Sequence, residues 1–127
     1  MSGGSIIVTP ILTDLHIMTD KIVVLNTCDS ADEAERLARS LVEQRLAACV
    51  TVISPTRSFY RWNGAITDAA EWLLVIKSSR ALFDRLRAAL ESAHSHELPE
   101  LLALPVIEGS PNYLAWLDGE LTSANIG

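Results

Sequence analysis

His94-Ser95-His96-Glu97, with Glu100 close behind, gathers two imidazoles and two carboxylates into one short stretch. Imidazole and carboxylate are good ligands for copper, zinc and nickel ions. In extended backbone an H-x-H pair sends both rings to the same side. Two protein ligands make a weak site, so a third donor has to come from Cys49, from Cys28 or from a neighbouring subunit. The candidate metal set is His94, His96, Glu97 and Cys49. Two plainer readings stand beside it. The stretch suits a solvated connection after a helix, with His94 favourable at the helix C-terminus, and Cys49 suits a small buried hydrophobe.

A second constellation joins Tyr60, Trp62, Lys77 and Glu100. Lys77 closes one apolar run and Glu100 opens another, so the two could meet in a cleft and bind a small anion or move a proton. A purely structural ion pair has the same signature. The aromatic residues Phe59, Tyr60, Trp62, Trp72 and Trp116 read as interface packing rather than a ligand cage, because aromatic rings dominate interface energetics. No nucleotide-binding glycine loop and no C-x-x-C pair is present, and no organic cofactor is indicated. Nothing in the chain specifies a substrate, so the reading is non-enzymatic.

The 127 residues suit one domain with a real core, and a 49% hydrophobic fraction excludes a disordered chain. Neither Trp72–Ile76 nor Leu101–Ile107 approaches the roughly 20 residues of a membrane span. A net charge of −6 argues against a nucleic-acid partner, which calls for a positive field. Two cysteines do not make a disulfide framework, and with no basic leader before Lys21 the expectation is a reduced, cytoplasmic protein. Positive mean hydropathy in so small a chain asks for an oligomer interface to hide apolar surface.

These side chains need a scaffold. Residues 1–19 read as an N-terminal extension, non-native or an interface arm, with Met18 a possible second start. Residues 20–127 then form one domain. Lys21–Thr27 reads as a buried strand. Ser30-x-x-Glu33 is a capping box for a helix whose apolar stripe runs Ala34, Leu37, Ala38, Leu41, Val42, Leu46. A strand from Ala48 is interrupted at Pro55 and resumes to Trp62. Asn63-Gly64 marks a tight hairpin, returning as a strand through Ser78. Ser79 opens a second helix striped by Leu82, Phe83, Leu86, Ala89, Leu90 and Ala93. Leu101–Ile107 is a fourth strand held to an edge or bulge by Pro105. A short helix over 112–118 follows the Ser110-Pro111 start and stops at Gly119. The order β-α-β-β-α-β predicts an α+β, ferredoxin-like sandwich with an extended β2–β3 hairpin and a short C-terminal helix. One sheet face stays bare in a monomer.

On that plan the chain resembles the CutA family of divalent-cation tolerance proteins. Four stretches carry the resemblance: Leu46-Ala-Ala-Cys-Val50; Tyr60-Arg-Trp-Asn-Gly64; Leu98-Pro-Glu-Leu-Leu-Ala-Leu-Pro-Val106; and Glu108-Gly109 leading to Tyr113-Leu-Ala-Trp-Leu117. The resemblance implies a homotrimer whose long hairpins pair between subunits, similarity to PII signalling proteins, and copper or other divalent ions as ligands. It brings no agreed reaction. Where many members have His-Pro-Tyr this chain has His94-Ser95-His96, and where some have a copper-associated cysteine it has Asn26. The alternative that follows from the PII similarity is a signalling or scaffold trimer, taking a small anionic ligand or a partner protein in its inter-subunit cleft.

Overall fold

The computed structural model describes residues 19–123. The expected extension at 1–19 lies, but for Thr19, outside the described residues. The chain runs β1 (Lys21–Cys28), α1 (Ala31–Glu43), β2 (Cys49–Trp62), β3 (Ala65–Ser79), a 3-10 turn (Arg80–Leu82), α2 (Phe83–Ala93), β4 (Leu102–Pro105) and α3 (Pro111–Glu120). The strands form one antiparallel sheet in the order β2-β3-β1-β4, with both crossover helices packed on one face.

Local chemistry explains each boundary. The Ser30 hydroxyl accepts from the Glu33 N–H at 3.1 Å and caps α1. The helix ends at Glu43, three residues before Leu46: the Leu46 N–H reaches back to Leu41 O and the Arg45 N–H to Val42 O, a Schellman closure with Arg45 at φ 59°. Leu46 therefore joins the core from beyond the helix, and Val42, expected in the stripe, is exposed. Asn63 and Gly64 both take positive φ and turn β2 into β3, with Trp62 opposite Ala65. Pro55 does not end β2: a bulge between Ile53 and Thr56 absorbs it and pairing resumes. β4 is shorter than expected, and Gly119 lies inside α3 rather than ending it.

The core lies between the helices and alternate strand residues: Ile22, Val24 and Cys28 of β1 and Leu74 and Ile76 of β3 meet Leu37, Leu41, Leu82, Leu86 and Leu90. The opposite residues, Val23, Leu25, Leu73, Val75 and Ile53, face away from the helices. Leu102 and Leu104 pair with Leu25 and Val23 on this second face and are exposed. Among the described residues only α3 borders it: the Lys77 ammonium sits 5.8 Å from the Tyr113 ring centre, and Tyr113 stacks with Trp116.

Candidate functional site

The segment 94–100 leaves α2 and reaches β4 across one end of the sheet. Three buried anchors hold it. Asn26 donates from Nδ2 to Glu100 O at 2.8 Å. Glu33, whose backbone N–H donates to the Ser30 cap, spends its carboxylate on Ser95, accepting from the N–H at 2.7 Å and the hydroxyl at 3.0 Å. His94 points inward: Nε2 lies 2.8 Å from Thr27 O and Nδ1 accepts from the His96 N–H at 3.0 Å. A carbonyl can only accept, so these partners fix the neutral imidazole with its proton on Nε2. The approach of Nδ1 to Glu33 at 3.8 Å is then not an ion pair.

Burial pushes the Glu33 carboxyl upward, but the two hydrogen bonds from Ser95, joined by the nearby His94 and the Asp29 backbone N–H, together outweigh it and hold the group below the ordinary carboxylate range. An acid whose folded pKa is depressed stabilises the fold fully above its unfolded pKa and loses that contribution as pH falls through the folded value. Urea midpoints measured from pH 6 down to pH 3 should therefore fall less steeply in Glu33→Gln than in the native chain. Equal slopes would show that Glu33 does not carry this linkage.

The structure separates the residues proposed for metal. His94 is sealed, with both ring nitrogens occupied. His96 is the accessible imidazole, its Nε2 2.7 Å from Asp29 Oδ2 at the surface. Glu97 is exposed beside it. Cys49 is not the cysteine near His94. It lies on the far sheet face opposite Lys77, half-exposed rather than a buried hydrophobe. Cys28 holds that place, with its sulfur 4.0 Å from His94 Nε2. Burial, with Glu33, Asp29 and Glu71 adding to it, pushes the Cys28 thiol up to about 12, so the free thiol stays protonated. Among the described residues no three His, Cys, Asp or Glu side chains gather as a metal site.

A cavity of about 760 Å³ opens between the hairpin and segment 94–100, lined by Thr27, Ser58, Phe59, Tyr60, Trp62, Glu71, His96, Glu97, Leu98 and Glu100. Among the described residues of the single chain, Lys77 does not line this cavity but sits over Tyr113, and it makes no ion pair with Glu100. The wall's charged side chains are carboxylates. Glu71, a strand residue with no role in the sequence reading, is a lining residue here, paired with Thr56 beside the β2 bulge. Among the expected interface aromatics, Phe59, Tyr60, Trp62 and Trp116 are exposed, whereas Trp72 is half-buried against the core.

A four-stranded β2-β3-β1-β4 sheet backed by two helices, with a hairpin projecting past its end and a cleft at the hairpin's foot, defines an α+β domain of the ferredoxin-like class. Within that class the comparisons are specific. Residues 22–120 match the model of the CutA1 divalent ion tolerance protein family, and the chain belongs to that family. The divalent-cation tolerance protein CutA of Thermus thermophilus is 41% identical over 95 residues, covering 75% of this chain and 92% of that protein. Human protein CutA is 41% identical over 91 residues, 72% of this chain and 51% of its own length. CutA1 from Oryza sativa superposes with a TM-score of 0.81 at 34% identity, covering 84% of this chain and 98% of that one. The Arabidopsis thaliana relative is named chloroplastic and the Archaeoglobus fulgidus structure is described as periplasmic. Among the described residues no helix is long and apolar enough to cross a membrane.

Proposed function

We propose that this chain acts without catalysis, as a cytoplasmic homotrimer in the response to copper-type divalent ions. The observation that carries the reading is the second sheet face. Val23, Leu25, Val75, Leu102 and Leu104 form a contiguous apolar surface with no helix over it among the described residues, and Phe59, Trp62 and Ile66 extend apolar surface along the hairpin. Monomers rarely leave so much apolar surface to water, and a closed ring of copies buries it on every subunit.

Within the trimer the metal contact falls to His96, with Asp29 as its carboxylate partner and Glu97 alongside. His94 serves from behind: the His96 N–H donates to it, which fixes the backbone that presents the ring. One chain supplies too few converging donors, so the coordination is completed across a subunit boundary. The anionic ligand suggested by the PII similarity is disfavoured by the carboxylates of the cleft wall.

Calorimetric titration of metal-free protein with Cu(II) tests the assignment. His96→Ala should weaken binding by one to two orders of magnitude, roughly the loss of one metal ligand or its support, and Asp29→Asn should weaken it less. Unchanged affinity in His96→Ala removes His96 from the site.

A further inference from the structure

We infer that Asn63 is a modification site, converted by water alone to aspartate and isoaspartate through a cyclic imide formed with the Gly64 backbone. The reading is independent of the metal contact at His96. It rests on the turn that joins β2 to β3. Asn63 and Gly64 make that turn by themselves, between the paired residues Trp62 and Ala65, and both are exposed. Asn63 sits at φ 51° and Gly64 at φ 80°.

Imide formation needs a free side-chain amide, a free following nitrogen and an open path between them, and the turn supplies all three. The Asn63 carboxamide makes no hydrogen bond among the described residues. The Gly64 N–H likewise has no acceptor there. Only the Gly64 carbonyl is engaged, by Arg61 Nη1 at 3.4 Å. Glycine carries no side chain to block the approach, and a Cβ placed on Gly64 would meet no atom within 4 Å. The other asparagines lack this setting. Asn26, Asn112 and Asn125 precede Thr27, Tyr113 and Ile126, whose side chains crowd the attacking nitrogen. Asn26 is also fully buried, with Nδ2 donating to Glu100 O. Asparagine is among the thermolabile residues, so its setting decides whether it lasts.

The chemistry balances without an oxidant or a cofactor. Hydroxide takes the Gly64 amide proton, the nitrogen attacks Asn63 Cγ, and a C–N bond closes the ring. Nδ2 leaves as ammonia, taking a proton from water. A second water opens the imide. Breaking the bond to Cγ gives aspartate; breaking the bond to the main-chain carbonyl carbon gives isoaspartate, with the chain routed through Cβ and Cγ. Either product adds a negative charge to a chain already at −6. Isoaspartate also lengthens the backbone of a two-residue turn and so disturbs the Trp62–Ala65 pairing beside it.

The test is peptide mapping by mass spectrometry of the metal-free full chain in its native assembly, aged in warm heavy-oxygen water at neutral and mildly alkaline pH. Isoaspartate is scored by labelling with an isoaspartate-specific methyltransferase. A synthetic peptide spanning residues 59–67 sets the time in which an unrestrained turn sequence converts fully. Within that time position 63 should gain the mass of the acid with a heavy oxygen, both products should appear, and the alkaline sample should lead. Asn26 and Asn112 should stay as amides, and Asn63→Gln, which would need a larger ring, should lose the methyl label at the turn. The inference is overturned if Asn63 stays intact in the native assembly over that time, including when it reacts only after unfolding in urea, since the tip is then held or covered. Aspartate without isoaspartate would equally overturn it, because direct hydrolysis needs no ring, as would conversion of Asn112 as fast as Asn63.

Discussion

Replacing His94 by alanine should destabilise the protein by about 2–5 kcal/mol, the range for deleting a large buried side chain together with its hydrogen bonds. The imidazole is fully buried and bridges Thr27 O of β1 to the His96 N–H. Its removal leaves a void beside Cys28, an unpaired carbonyl and an unpaired N–H at the root of segment 94–100. Urea denaturation reads the loss directly. His96→Ala should behave in the opposite way. Its ring is partly exposed, bonds Asp29 and lies tilted 4.8 Å from the His94 ring, so stability should change by under about 1 kcal/mol, as for exposed ion pairs, while Cu(II) affinity falls. On the proposed reading the two histidines of one H-x-H motif divide into a structural member and a ligand. If His94→Ala were as stable as the native chain and bound copper no better than His96→Ala, both residues would be ligands and the buried reading would fail.

The second large effect concerns assembly. Leu102→Glu with Leu104→Glu places two carboxylates on β4 where a single chain exposes both side chains, so folding of the subunit should survive. In the proposed trimer the same positions would be covered. Removing an unpaired carboxylate from water there costs several kcal/mol each, of the order of about 3–5, more than enough to dissociate a small-protein interface at micromolar concentration. Sedimentation velocity should show a folded monomer, with the native circular dichroism spectrum retained. A double variant that sediments with the native protein would place the subunit contact elsewhere than this sheet face.

Much of the scaffold is legible in the residues because it is decided locally. Asn63-Gly64 turns the hairpin since both positions need positive φ, and Ser30 caps α1 through an atom three residues away. The bare sheet face also follows from order alone, since both helices must cross on one side. The site is less legible because its partners are distant in the chain. Nothing near His94 announces Thr27 O, which lies on β1, so a motif that looks like a surface ligand pair splits into one sealed ring and one open one. Glu33 reads as half of a capping box, yet its carboxylate is taken by Ser95, which only folding brings near. Lys77 was placed in the cleft by position along the sheet, but Tyr113 of α3 offers its ring on the same face and takes the ammonium. Glu71 carries no sequence signal at all: burial after a bulge is a property of strand register, not of neighbouring residues.

The most direct measurement of the central claim is native mass spectrometry of the metal-free full chain, titrated with Cu(II) and then Zn(II), since it reports assembly and ion count together. The account predicts a trimer that takes up a defined complement, one or three ions, at low micromolar metal, with that uptake lost in His96→Ala. A monomer, or a trimer gathering ions only as an unsaturating series of nonspecific adducts, would contradict it.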